Sequence, residues 1–341
     1  MIVLGIESSC DETAAAVVQD GRRILSNVVA TQIPFHEIYQ GVVPEIASRK
    51  HIEWILPVVK QALSEADLTL EEIDAVAATN RPGLMGSLLV GLTFGKTLAW
   101  SIGKPFIAVN HMLGHLYAAH LAKDIAYPYL GLLVSGGHSI ICTVNGFDDI
   151  EVLGTTVDDS VGEAFDKVAK FYNLGYPGGV VIDALAKKGD YRAASFPIPK
   201  LDENEHRYDV SFSGLKTAAI HQRDLFWNEG FAHSTENMCA AFQESACRTL
   251  TGRLFRAVED TGLTTVVAGG GVAANSRLRQ LLAERSDLCC IFPPLKLCGD
   301  NGAMIAGLAY HFLLRGDASA LDTTASARIV QFKRGLTRTK K

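Results

Sequence analysis

Residues 129–146 read YLGLLVSGGHSIICTVNG. Tyr129 to Val134 is apolar enough for a buried strand, and Ser135 to His138 makes a glycine-rich turn. Ser139 to Val144 is a second strand, and Asn145-Gly146 is a hairpin turn leading into a third over Asp149 to Thr155. The same parts open the chain. Ile2 to Ile6 is a strand, Glu7 to Thr13 a polar loop, Ala14 to Gln19 a strand, Asp20-Gly21 a hairpin turn and Arg23 to Val29 a strand. Two copies of one strand-loop-strand-turn-strand unit imply a duplicated architecture.

Outward from these units the periodicity changes. Ile52, Ile55, Leu56, Val59 and Leu63 keep helical spacing, with Pro57 expected to kink that helix. Ala75 to Ala78 reads as a buried strand, and a long apolar helix runs from Arg81-Pro82-Gly83 to about Ile102. A strand over Pro105 to Val109 and a helix starting near His111 follow. Met238, Phe242, Leu250, Leu254 and Val258 mark another long helix, and Thr264 to Ala268 a strand entering Gly269-Gly270-Gly271. Alternating strands and helices make this an α/β protein, whereas Asp190 to Ser211 lacks periodicity and reads as a loop excursion.

Composition narrows the function. With 341 residues, 48% hydrophobic and 20% charged, the chain is an ordinary globular sequence of about two domains. No apolar run reaches the roughly 18 residues of a membrane span, and the start MIVLGIESSC lacks the basic region of a signal peptide, so a cytoplasmic location is expected. Seven cysteines without a C-x-x-C pair suit reduced thiols. A formal charge of −5 argues against a stand-alone nucleic-acid binder; the basic tail from Lys333 to Lys341 is the local exception.

Four sets of residues could carry chemistry. His111 and His115, four apart on one helix face, can share a metal or simply pack in a core. Asp300, in Cys298-Gly299-Asp300-Asn301-Gly302, is the candidate third ligand and also a candidate helix N-cap. Two imidazoles and one carboxylate would leave coordination positions open, as zinc or ferrous iron sites acting on substrates do. The turn Ser135-Gly136-Gly137-His138 and the turn Gly269-Gly270-Gly271 into Asn275 can present backbone N–H groups to phosphate or serve as plain turns. Glu163, Asp166, Lys167 and Asp183 can hold ribose hydroxyls or sit as solvated helix charges, and Glu7, Asp11 and Glu12 crowd the first loop.

Taken in order, IESSCDET (6–13), GVVPEIASRKH (41–51), PGLMGSLLVG (82–91), NHMLGH (110–115), LLVSGGHS (132–139), GEAFDKVAK (162–170), YPGG (176–179), SFSGLK (211–216), VAGGGVAAN (267–275) and GDNGAMIA (299–306) resemble the tRNA threonylcarbamoyladenosine transferase family, TsaD, formerly called the sialoglycoprotein endopeptidase or glycoprotease family. The likeness spans nearly the whole chain. It implies a two-lobed actin, Hsp70 and sugar-kinase-like (ASKHA) fold with duplicated mixed-sheet lobes: 1–110 with about 300–341, and 111–299, with the active site between them. It implies that His111, His115 and Asp300 bind one divalent metal per chain, Fe2+ or alternatively Zn2+. Val134, Ser135, Gly136, Gly137, His138, Asp166, Gly179, Asp183 and Asn275 would then line an adenylate site.

The activity implied is an acyl transfer in tRNA processing. The threonylcarbamoyl group of threonylcarbamoyl-AMP passes to N6 of the adenosine beside the anticodon, in tRNAs reading codons that begin with adenine. Asp11, with Glu12, is the expected proton acceptor or orienter. Expected partners are tRNA, an inactive homologue of the same fold and a small P-loop ATPase; a homo-oligomer is left open and no membrane is involved. Two rivals predict different residues. A small-molecule kinase calls for a magnesium site of carboxylates, and a metallopeptidase for the glutamate of H-E-x-x-H, which NHMLGH lacks. A silent scaffold would not need the three metal ligands.

Overall fold

A computed structural model describes residues 1–202, 204–221, 233–328 and 333–334 of the chain. The side chains of the basic tail lie outside the described residues. The described chain forms two compact units, one of Met1–Ile125 and the chain from Pro293, the other of Ala126–Phe292 joined by Lys333–Arg334. The first therefore takes in 111–125 and 293–299, which lie beyond the bounds expected for the first lobe, because the helix at His111 packs on the one that starts at Gly302.

The first unit's sheet holds β1 (Ile2–Glu7), β2 (Glu12–Gln19), β3 (Arg23–Thr31), β4 (Ala75–Arg81) and β5 (Phe106–Asn110) in the order β3-β2-β1-β4-β5. The β1-β2-β3 meander is antiparallel, while β4 and β5 run parallel to β1. Strand periodicity sends alternate residues of β1 to opposite faces. Leu4 and Ile6 enter a core with Ile55 and Val58 of α2 (Pro44–Glu65) and Leu92 of α3 (Met85–Ser101). Gly5 faces the other way, onto α10 (Gly302–Leu314). Pro57 sits exposed within α2, which runs on to Glu65.

The second unit repeats the plan. Its sheet of β6 (Tyr129–Val134), β7 (Ser139–Val144), β8 (Ile150–Thr155), β9 (Thr265–Gly269), β10 (Cys289–Ile291) and β11 (Lys333–Arg334) runs β10-β9-β6-β7-β8-β11. Again an antiparallel meander, β6-β7-β8, carries two parallel strands, β9 and β10, beside its first strand. The repeat read from the two glycine-turned units is thus a repeat of sheet topology. Its core gathers Leu130, Leu132, Phe165, Phe212, Phe242 and Leu250. The aperiodic stretch 190–211 is anchored rather than loose, since Ala193, Phe196, Tyr208 and Val210 are buried.

One buried polar cluster of the first unit gives a pH prediction. His120 stacks on Tyr117 at 5.1 Å, and the Tyr117 hydroxyl lies 2.8 Å from His311 Nε2. Burial, with His311 nearby, pushes His120 down to about 4, and burial lowers His311 as well. A histidine held below its unfolded value near 6.5 leaves stability intact above that pH and removes it as pH falls toward 4. For His120 the full loss is about 3 kcal/mol. Melting temperature should therefore fall between pH 7 and pH 4.5, with a shallower slope in His120→Gln; equal slopes would refute the assignment.

Candidate metal centre

In the first unit, the C-terminal ends of the parallel strands β1, β4 and β5 converge on one edge of the sheet. Glu7 ends β1, Thr79 lies near the end of β4, and His111 begins α4 (His111–Tyr117) directly after β5. Asn110 caps α4, accepting the N–H of Met112 at 2.9 Å, which fixes where the helix starts and which way His111 leaves it. One turn later His115 projects beside it, with ring centroids 4.5 Å apart and ring planes at 78°.

Asp300 completes the group. Its Oδ1 lies 3.6 Å from His111 Nε2 and 3.1 Å from His115 Nε2, and the donor atoms of the three residues all fall within 4.8 Å of one another. The N-cap of α10 is Asn301, whose side chain accepts the Met304 N–H at 2.9 Å. The capping role open to Asp300 on local grounds thus belongs to its neighbour, which leaves the Asp300 carboxylate turned to the histidines.

Glu7 is the residue whose part the sequence did not reveal. Fully buried, its Oε2 accepts from His111 Nδ1 at 3.0 Å and from Thr79 Oγ1 at 2.6 Å, and its Oε1 accepts the Ser9 N–H at 2.6 Å. Burial alone would raise the Glu7 carboxyl, but His111 outweighs it and holds it low. Burial would lower His111, yet Glu7 and Asp300 lift it to about 9. Anchoring Nδ1 on a carboxylate commits Nε2 to the side where His115 and Asp300 lie, the carboxylate-histidine arrangement that orients metal ligands. Two Nε2 atoms and one carboxylate oxygen pointed at one spot, with a second carboxylate behind, fit a divalent cation by donor chemistry.

The loop after β1 and the start of β2 crowd acidic groups together. Burial, then Asp11 and Asp300, push the Glu12 carboxyl well above its ordinary range; burial with Asp11, Asp300 and Glu12 does the same to the Cys10 thiol. His51 pins this loop, with Nδ1 2.8 Å from Thr13 Oγ1 and Nε2 2.9 Å from the Cys10 carbonyl.

The remaining predicted residues gather in the second unit, at the equivalent strand ends. Val134 ends β6 and Gly269 ends β9, and Gly270, at φ +90°, sits so close that a Cβ would lie 2.3 Å from the Val134 carbonyl oxygen. Only glycine fits there. Ser135 Oγ accepts the His138 N–H at 3.1 Å, closing the turn, while Gly136 and Gly137 face open space. Asp166, on α5 (Val161–Phe171), accepts the Gly178 N–H at 2.7 Å and so holds the start of α6 (Gly178–Ala186), where Gly179 lies. Asp183 accepts from Ser276 N and Oγ at 3.0 and 2.7 Å, and Asn275 caps α9 (Ser276–Ala283). Asp166 thus ties the N-terminal end of α6 to α5, Asp183 ties that of α9 to α6, and Asn275 caps α9.

Comparison with known proteins follows the geometry. The profile of the tRNA N6-adenosine threonylcarbamoyltransferase family matches residues 23–307. Proteins of that name from Treponema denticola, Treponema pallidum (strain Nichols) and Borrelia hermsii are 71%, 60% and 49% identical, each over 98% of this chain and 99%, 96% and 98% of their own. In fold the chain is similar to full-length HypF (TM-score 0.63, 13% identity, 92% of this chain and 46% of that one). It is also similar to component A of the Acidaminococcus fermentans (R)-2-hydroxyglutaryl-CoA dehydratase (0.55, 16%, 91% and 98%). These place it in the actin, Hsp70 and sugar-kinase fold class. Among the described residues no helix is long and apolar enough to cross a membrane. The chain belongs to the tRNA N6-adenosine threonylcarbamoyltransferase family and is a tRNA-modifying transferase.

Proposed function

We propose that this chain transfers the threonylcarbamoyl group of threonylcarbamoyl-AMP to N6 of the adenosine beside the anticodon, in tRNAs reading codons that begin with adenine, and releases AMP. The observation that carries this reading is the convergence of His111, His115 and Asp300 in a member of a threonylcarbamoyltransferase family. His111, His115 and Asp300 hold one Fe2+, or alternatively Zn2+, and Glu7 keeps His111 in the ligating tautomer. When bound, the cation supplies Lewis-acid polarisation at the threonylcarbamoyl end of the donor.

The AMP end falls to Val134–His138, where the exposed backbone of Gly136 and Gly137 can approach a phosphate, with Asp166, Gly179, Asp183 and Asn275 framing the nucleoside. N6 forms a bond to the carbamoyl carbon as that carbon's bond to the phosphate oxygen breaks. AMP leaves with the electron pair, and one N6 proton passes to Glu12 or Asp11. Burial makes the Glu12 carboxylate the more basic acceptor than an exposed one would be. Because AMP is a good leaving group, positioning the two substrates contributes more than proton transfer.

The chain acts in the cytoplasm with an inactive homologue of its fold and a small P-loop ATPase, or as a homo-oligomer. Exposed Ile52 and Leu56, one turn apart on α2, and Met85 and Leu89, one turn apart on α3, support a protein partner there. The test is mass spectrometry of nucleosides from unmodified tRNA incubated with threonylcarbamoyl-AMP and the partners, with and without this chain. Threonylcarbamoyladenosine formed only in its presence is expected; none, with intact donor and active partners, would overturn the reading.

A further inference from the structure

The buried face of α2 runs along Ala47, His51, Ile55, Val58 and Ala62, one side chain per turn. Packing alone asks for an aliphatic group at each of these positions, yet the second is an imidazole with no exposure. Burying that ring is costly unless both its nitrogens find partners, and both do. Nε2 lies 2.9 Å from the Cys10 carbonyl, which can only accept, so Nε2 carries the proton. Nδ1 then accepts from the Thr13 hydroxyl at 2.8 Å. Burial outweighs the Cys10 carbonyl, Glu7 and Asp11 and lowers His51, which keeps the ring in this neutral form.

One imidazole thus grips the residue before Asp11 and Glu12 and the residue after them. The backbone between is held from outside as well. The Ser9 carbonyl accepts the Leu84 N–H at 2.8 Å, and the Asp11 carbonyl accepts the Gln32 N–H at 3.0 Å. The Cys10 carbonyl takes the Ser87 hydroxyl at 3.2 Å in addition to His51. Thr31 Oγ1 donates to Glu12 Oε1 at 3.3 Å, and Glu12 stands near enough to Asp11 and Asp300 for both to raise it.

We propose that His51 is a positioning residue for transfer: by tying the Cys10 carbonyl and the Thr13 hydroxyl to α2, it fixes where Asp11 and Glu12 stand to take the N6 proton. This rests on the acceptor role proposed above. The proton passes from N6 to a carboxylate oxygen as N6 bonds to the carbamoyl carbon; His51 exchanges none. A displacement of about 1 Å in a reacting group can cost about 100-fold in rate, so a tie of this kind is felt in turnover.

The test uses the full chain with its partners, unmodified tRNA and threonylcarbamoyl-AMP. His51→Leu with Thr13→Val makes both partners apolar, which is nearly neutral for stability, so the fold survives while the tie is cut. We expect kcat to fall about 10- to 100-fold, with the KM for threonylcarbamoyl-AMP and the metal content unchanged. His51→Gln offers an amide N–H and a carbonyl in place of the two ring nitrogens and should recover most of the rate. Thr13→Val alone, the milder variant, keeps the Cys10 tie and should lose about threefold. With Asp11→Asn and Glu12→Gln already present, His51→Leu with Thr13→Val should cost less than about twofold more, because the groups it positions are gone. An unchanged kcat, a full further loss in that background, or loss of metal overturns the positioning role. A wild-type rate in Asp11→Asn with Glu12→Gln overturns the acceptor role, and no product with the wild-type chain overturns the transfer reading; this proposal falls with either.

Discussion

His115→Ala is expected to empty the metal centre and lower threonylcarbamoyl transfer at least about 1000-fold, equivalent to about 4 kcal/mol of transition-state stabilisation, while the fold survives. His115 gives its Nε2 to the Asp300 side, and its Nδ1 is buried without a partner, so truncation breaks no other hydrogen bond. The cost to stability is a small cavity, about 2 kcal/mol. His111→Ala should differ. It too abolishes metal binding, but it strips Glu7 of the group that compensates its buried charge, at about 3–5 kcal/mol. Glu7→Gln should keep the fold and weaken metal affinity about 10–100-fold, with transfer restored by excess metal. Metal content by elemental analysis, transfer rate and melting temperature separate the three. Full metal occupancy and normal turnover in His115→Ala would sink the assignment.

Gly5→Ala should be the most damaging small change in the first unit. A Cβ at this position would lie 2.5 Å from Ala306 N and 2.5 Å from the Gly302 carbonyl oxygen. Both obstacles are backbone, so no side chain can swing aside; β1 and α10 must separate. Overpacking of this kind costs about 3 kcal/mol or more, a fall of roughly 6–12 °C in melting temperature for a unit of this size. Because Asp300 lies two residues before α10, metal affinity should fall with it. Gly214→Ala, where an added methyl meets nothing within 4 Å on α7 (Ser213–His221), is the control and should melt at or slightly above wild type. Equal melting of the two variants would show that the helix and strand can part freely.

The duplicated plan and two of the three residues proposed as metal ligands, His111 and His115, were legible in the chain itself. Turn chemistry at Asp20-Gly21 and Asn145-Gly146, with strand-length apolar runs on either side, encodes local hydrogen bonding that needs no distant contact. Helix periodicity alone puts His111 and His115 on one face. Local chemistry named Asp300, the two glycine turns, Asp166 and Asp183 as candidates but left each beside a plain structural alternative, and motif likeness, not spacing, chose between them. What remained to the tertiary structure were adjacencies set by strand order. Parallel pairing of β1 with β4 and β4 with β5 carries Glu7, Thr79 and His111 to one sheet edge, although they lie far apart in sequence. The choice of Asn301 over Asp300 as the α10 cap depended on which side chain the histidines left free. The segment around Phe196 lacks periodicity, and its place against α8 (Thr235–Thr261) is set by tertiary packing: Ala193 and Phe196 are buried, and Ser245 Oγ of α8 donates to the Phe196 carbonyl at 3.3 Å. Local sequence specifies the elements because their hydrogen bonds are short-range; the sites arise where elements meet, and those meetings are settled by burial of the whole core.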